Sequence, residues 1–174
     1  MILPFLLVAE TMETVPSVHG HGLTVDKSID DAAMYDYLLI PGGDAALAVA
    51  HNAAITNWIK VVADNAQLVM TVCTGSILLA ATGLLDGREA TTNKQDFRAT
   101  TPLRPQVNWV AKARWVEDGK FFTSSGVSAG IDMTLAVLEH LFDRSTAEHV
   151  ADGTEYEWHD DPTWDFFAHR SGLV

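Results

Sequence analysis

Cys73 is the only cysteine of the chain, and its surroundings suit a nucleophile. It stands where an apolar run, Gln67-Leu68-Val69-Met70-Thr71-Val72, meets the small residues Thr74-Gly75-Ser76. An unbroken run of β-branched and apolar residues describes a buried strand. Ile77-Leu78-Leu79-Ala80-Ala81 continues as a helix that Gly83 closes. The thiol therefore belongs on a strand-to-helix turn, which lifts a side chain above a sheet and sets it near a helix N-terminus. The positive end of a helix favours a thiolate, the form of cysteine that attacks electrophiles. The same logic exposes the nucleophile of a strand–turn–helix elbow. The bland alternative is a small buried apolar residue, the usual fate of a single thiol. The turn position, with Gly75 two residues on, strengthens the catalytic reading.

Other residues are weaker candidates. Pro41-Gly42-Gly43 ends the apolar run Tyr37-Leu38-Leu39-Ile40. Taken alone it is a turn after a strand, but glycine there also lets backbone approach a ligand. Asn93 and Lys94 follow the strand end Thr91-Thr92 and are placed at a pocket rim. Asn93 is the better candidate, because a neutral amide orients a small polar substrate. His19-Gly20-His21 has no Cys or carboxylate at ligand spacing, so a surface turn is preferred and no metal is expected. Asp132 is placed at a helix start, where a carboxylate is electrostatically favoured without any catalysis. Residues 155–164 are dense in acids and aromatics. They read as a solvated tail whose tryptophans pack on the body, with His159 orienting a substrate as the lesser alternative.

The elements that must position these groups alternate. The apolar start, Met1 to Glu10, reads as a buried strand, and Thr11 to Ala33 as an irregular polar stretch. Tyr37–Ile40 is a strand. Residues 45–50 and 55–63 have helical propensity and spacing. Residues 94–100 suggest a short helix. Residues 109–116 and 120–124 read as strands around an Asp118-Gly119 turn. Residues 127–142 form an apolar helix, with Ile131, Leu135, Leu138 and Phe142 on one stripe. Ser145-Thr146-Ala147-Glu148 fits a capping box. Such alternation favours an α/β fold with a largely parallel sheet, in which a site lies beyond the carboxyl ends of the strands.

Bulk properties narrow the partners. The chain has 174 residues, is 48% apolar and suits one domain over 1–174. Its net charge of -12 argues against nucleic acid and anionic membranes. The N-terminal run has no basic flank or small-residue cleavage site, and is too short to span a bilayer. One cysteine excludes an internal disulfide framework and fits a reducing compartment, so a cytoplasmic location is expected.

Four motifs together resemble the ThiJ/PfpI family, within the class I glutamine amidotransferase-like superfamily. They are Leu39-Ile40-Pro41-Gly42-Gly43, Val72-Cys73-Thr74-Gly75-Ser76, Gly83-Leu84-Leu85-Asp86-Gly87-Arg88-Glu89-Ala90-Thr91-Thr92, and Ser125-Gly126-Val127-Ser128-Ala129-Gly130-Ile131-Asp132. The resemblance runs from about Leu6 to about Pro162. Cys-Thr-Gly in place of Cys-His-Gly looks most like the isonitrile hydratase branch. The resemblance implies a flavodoxin-like three-layer sandwich with a mostly parallel sheet and a cofactor-free site. It implies Cys73 as nucleophile, with Thr74 holding substrate or water. Backbone N–H groups of Gly43 and Thr74 would polarise the ligand, with Gly42, Gly75 and Asn93 completing the binding set.

Two departures from the family pattern stand out. The chain begins at what resembles the family's second strand. The first strand and helix, which usually supply an acidic partner for the cysteine, are therefore expected to be lacking. An interior strand missing from a sheet would leave edges unpaired and apolar surface uncovered. Thr74 also replaces the histidine of the protease-like branch, which makes peptidase activity unexpected. The leading expectation is hydration of an isonitrile to an N-substituted formamide by a homodimer. Glyoxalase-like aldehyde chemistry at the same cysteine is the second enzymatic reading. A ligand- or redox-sensing domain without catalysis is the rival from another class.

Overall fold

A computed structural model describes residues 4–17, 19–31 and 33–174. Four two-residue strands come first: β1 (Val8–Ala9), β2 (Val15–Pro16), β3 (Gly22–Leu23) and β4 (Lys27–Ser28). β5 (Tyr37–Ile40) leads into helices α1 (Ala46–Val49) and α2 (Ala53–Asn65). β6 (Leu68–Thr71) feeds α3 (Gly75–Ala81). Then come β7 (Glu89–Ala90), α4 (Phe97–Thr100), β8 (Asn108–Trp109), β9 (Trp115–Asp118) and β10 (Phe121–Ser124). Helices α5 (Val127–Leu141), α6 (Arg144–Gly153) and α7 (Phe166–Arg170) complete the chain.

The central sheet has the order β5-β6-β10-β9. β5, β6 and β10 are parallel, with Thr71 paired to both Ile40 and Thr123. The chain therefore leaves all three strands along one edge, and Gly42-Gly43, Cys73 and Ser125 emerge together there. β9 runs antiparallel to β10, so Arg114, just before β9, lies at that same edge. Strand side chains alternate between faces. Leu38, Ile40, Val69 and Phe121 pack with α2 and α3, whereas Leu68, Phe122 and Trp115 pack with Met133 and Val137 of α5. Helices cover both faces, which makes the protein a flavodoxin-like three-layer α/β sandwich with a mostly parallel sheet.

Local chemistry fixes the element ends. The Asn52 side chain caps α2 by accepting the N–H groups of Ala54 (3.0 Å) and Ile55 (3.4 Å). The other end of α2 is closed from a distance. Lys120, in the β9–β10 turn, donates Nζ to the carbonyls of Ala63, Asp64 and Ala66 at 2.6, 3.0 and 3.3 Å. A cation at this end also complements the helix dipole.

Several expectations need correction. The N-terminal strand is only Val8–Ala9, half-buried and paired with β4, while Phe5 and Leu6 are exposed. Met1, Ile2 and Leu3 of that expected strand lie outside the described residues, as do Val18 and Ala32 of the polar stretch. Trp109 does not share a strand with Val116. It pairs with Ala90 in a separate two-stranded sheet, and the hairpin begins at Trp115. Helix α5 buries Ala129, Gly130, Asp132, Met133, Leu135 and Val137, so the stripe through Ile131 and Phe142 is not the core face. Asp132 turns the helix inward because its carboxylate is consumed by a buried ion pair. It lies inside α5, not at its start. The cap of α6 is Asp143, accepting the Thr146 N–H at 2.7 Å, and Glu148 pairs with Arg144 instead. Among the described residues, no helix is long and apolar enough to cross a membrane.

Candidate functional site

Cys73 occupies the turn between β6 and α3 with φ 58°, the left-handed region that costs a side chain about 1–2 kcal/mol. Four hydrogen bonds among the described residues hold it there. Its N–H donates to the Ser125 carbonyl at 2.8 Å. Its own carbonyl accepts the hydroxyls of Ser76 (3.1 Å) and Thr92 (3.2 Å) and the Ser76 N–H (3.4 Å). Close packing tightens the same turn. A Cβ on Gly75 would fall onto the Ile40 carbonyl oxygen and 2.9 Å from the Pro41 carbonyl. One on Gly42 would lie 2.7 Å from the Thr74 nitrogen, and one on Gly130 would lie 2.8 Å from Val72. The two glycines flanking the turn are thus explained by backbone approach.

The half-buried Cys73 sulfur accepts one side-chain hydrogen bond, from Asn93 Nδ2 at 3.1 Å. Asn93 is held in that orientation because its Oδ1 accepts the N–H groups of Gln95 (2.8 Å) and Asp96 (3.1 Å). An N–H donor aimed at sulfur stabilises negative charge on it. Among the described residues no carboxylate hydrogen-bonds the sulfur. Thr74 occupies the N-cap position of α3 and is buried, but its side chain makes no capping hydrogen bond. Its Oγ1 accepts the Gly43 N–H at 2.9 Å and lies 3.1 Å from the Gly43 carbonyl.

The structure thus gathers Gly42, Gly43, Cys73, Thr74, Gly75 and Asn93 at one sheet edge, but it spends one of the two expected backbone donors internally. The Gly43 N–H goes to Thr74 Oγ1.

Behind this wall lies a charge cluster. Asp132 is fully buried and accepts Arg114 Nε at 2.7 Å, the Tyr156 hydroxyl at 3.0 Å and the His159 N–H at 3.0 Å. Arg114 Nη1 lies 3.9 Å from the buried carboxylate of Asp165. Burial and the Asp132 carboxylate both raise the pKa of the Tyr156 phenol. Lys94 is not at a rim; it is 3% exposed. Burial pushes its ammonium down to about 8, while Asp165 pulls it up and Arg114 pushes it down. A cavity of about 280 Å³ opens beside the cluster, lined by Arg114, His159, Asp160, Asp161, Trp164 and Phe166; its lining does not include Cys73. The tail is therefore fastened. Trp158 donates to the Asp132 carbonyl at 3.1 Å and stacks under Arg144 at 4.3 Å, while Trp164 remains exposed.

Thr92, Ser125, Arg114 and Asp165 were not singled out from the sequence. The one available signal was a charge inside an apolar run: Arg114 before Trp115-Val116, and Asp132 within Gly130-Ile131-Asp132-Met133.

The model of the DJ-1/PfpI family matches residues 4–140. The chain belongs to this family. All four motifs, including Cys73 and its turn, fall inside the matched stretch. The chain is 34% identical over 151 residues to isonitrile hydratase of Pseudomonas putida, covering 86% of this chain and 64% of that enzyme. It is 29% identical over 139 residues to the HTH-type transcriptional regulator CdhR of Pseudomonas aeruginosa, covering 79% of this chain and 41% of that protein. The crystal structure of a ThiJ/PfpI family protein from Pseudomonas syringae superposes with a TM-score of 0.75 at 28% identity, over 92% of this chain and 65% of that one. The chain thus spans less than two thirds of the length of these relatives. The relatives of this chain thus include both an enzyme and an HTH-type transcriptional regulator.

Proposed function

We propose that Cys73 is the nucleophile of a cofactor-free reaction on a small molecule, and that the substrate class is the isonitriles. The observation that supports this most is the sulfur itself. It sits on a left-handed strand–helix turn, four hydrogen bonds hold its backbone, and an amide donor points at it. Similarity to isonitrile hydratase adds the substrate class.

In this reading the thiolate attacks the terminal isonitrile carbon, and that carbon takes a proton, giving a thioimidate. Water then adds to the same carbon. Collapse expels the thiolate and leaves the N-substituted formamide, so the net change is addition of one water. Asn93 holds the charged sulfur before attack and after release. Thr74 contacts substrate or water once its hydroxyl turns from Gly43, which frees the Gly43 N–H as a donor. Neither residue is acidic enough to supply the proton, so solvent water delivers it. Replacing Cys73 by Ala abolishes formamide production from an isonitrile; retained turnover would refute the mechanism. A homodimer is the proposed assembly, and a monomer by light scattering would overturn it.

The absence of a carboxylate hydrogen bond to the sulfur among the described residues favours a second reading, a sensor that binds small molecules without turning them over. Calorimetry showing isonitrile binding with no formamide release would select it.

A further inference from the structure

We propose that Lys94 is a positioning residue: it clasps the Thr91–Lys94 turn shut and thereby holds the Asn93 amide against the Cys73 sulfur. The proposal rests on reading Cys73 as the reactive atom. Lys94 itself touches neither the sulfur nor its backbone.

The geometry of the clasp is specific. Lys94 Nζ reaches back three residues to Thr91 Oγ1 at 2.7 Å and across to the Ala113 carbonyl at 2.6 Å. The ammonium also faces the Phe97 ring, 5.6 Å from its centroid. An ammonium has three donors, and a face of an aromatic ring attracts the charge that remains. Between the two ends of the clasp sit Thr92 and Asn93. Both bond Cys73, Thr92 at its carbonyl and Asn93 at its sulfur.

The outer anchor matters equally. Ala113 precedes Arg114, whose carbonyl accepts the Ser125 N–H at 2.9 Å, and the Ser125 carbonyl accepts the Cys73 N–H. One buried ammonium therefore joins the segment that bonds the sulfur to the segment that bonds the backbone beneath it. The charges around it are Asp165 and Arg114, with Asp132 behind Arg114. A lysine is almost never fully buried without partners. Here its partners are the two walls of the cysteine turn, and burial lowers its pKa to about 8.

The test is the rate at which iodoacetamide labels Cys73 at about pH 7, read by intact mass. It compares wild type, Asn93→Ala, Lys94→Met and the double variant. Hydrogen bonds to charged groups are the stronger kind, so Asn93→Ala should slow labelling about tenfold. Lys94→Met should slow it by a similar factor, and the double variant should be no slower than either, because both changes remove one contact. Labelling of Lys94→Met within about twofold of wild type overturns the proposal, as do single-variant factors that multiply in the double variant. A purely structural lysine would lower the melting temperature and leave the labelling rate alone.

If Lys94→Met does not fold, NMR on the Cys73→Ala variant decides, because no thiol then sits against the Asn93 amide. The Asn93 side-chain amide signals should move with a midpoint near the Lys94 value of about 8, and unmoved signals overturn the clasp. A wild-type Cys73 that takes no label at all overturns the reactive-cysteine reading instead, and the NMR titration still judges the clasp.

Discussion

Replacing Asp132 by Ala should be among the most damaging single changes away from Cys73. The carboxylate is fully buried and collects Arg114, the Tyr156 hydroxyl and the His159 N–H. Its removal strands a guanidinium whose side chain is 10% exposed and whose next carboxylate, that of Asp165, is 3.9 Å away. Breaking one side of a buried ion pair costs about 3–5 kcal/mol. At about 2–4 °C per kcal/mol for a protein of this size, the melting temperature should fall by roughly 10 °C. Calorimetry gives the midpoint. Arg114→Met alone should cost a comparable amount, because it leaves the carboxylate unpaired. The double variant Asp132→Leu with Arg114→Met should cost clearly less than the sum, since an apolar pair carries no buried charge. A loss below about 1 kcal/mol for Asp132→Ala, or strict additivity in the double variant, would refute this account of the cluster.

Three further outcomes can be checked. Gly75→Ala drives a methyl group into the Ile40 and Pro41 backbone, and should lower the urea midpoint by the equivalent of about 1–3 kcal/mol; an unchanged midpoint would show that the two segments separate freely. Thr71→Val removes a fully buried hydroxyl that has no hydrogen-bond partner among the described residues, and should raise stability by about 1 kcal/mol; a loss of that size would mean a buried water satisfies it. The Lys94 pKa is lowered from 10.5 to about 8 in the folded state, so between those values the unfolded chain keeps a proton that the folded chain has lost. Stability must therefore rise with pH across that window, by at most about 3 kcal/mol. Urea melts at several pH values should show this rise in wild type and not in Lys94→Met, and equal slopes in both would contradict it.

Much of the architecture was legible because it depends on local pattern. The strands at Tyr37–Ile40 and Leu68–Thr71, the hairpin turn at Gly119 and the small-residue turn after Cys73 declare themselves through apolar runs and glycine placement. The α5 core face did not, because Asp132 reads as polar and is buried by a partner 18 residues away. The cap of α6 was misplaced by two residues for a related reason. Ser145 and Glu148 fit the capping pattern, but Asp143 reaches the free N–H first and Arg144 engages Glu148. Asn93 was found from its chemistry, as a neutral amide beside a strand end. Its target, the sulfur itself, follows only from the register that brings residues 91–93 beside 73. Lys94 was placed at a rim and not in the interior, since a lysine in a polar stretch is ordinarily solvated.

Lys120 adds a polar tie between two parts of the molecule that already share a core, the end of α2 and the β9–β10 hairpin. Helix ends fray because their last carbonyls have no partner, yet the last turn of α2 is held by a side chain from the β9–β10 hairpin. Loosening either part breaks the same three bonds. Amide exchange at the end of α2 should therefore follow the opening free energy of the hairpin, so that a helix and a hairpin far apart in sequence behave as one cooperative unit.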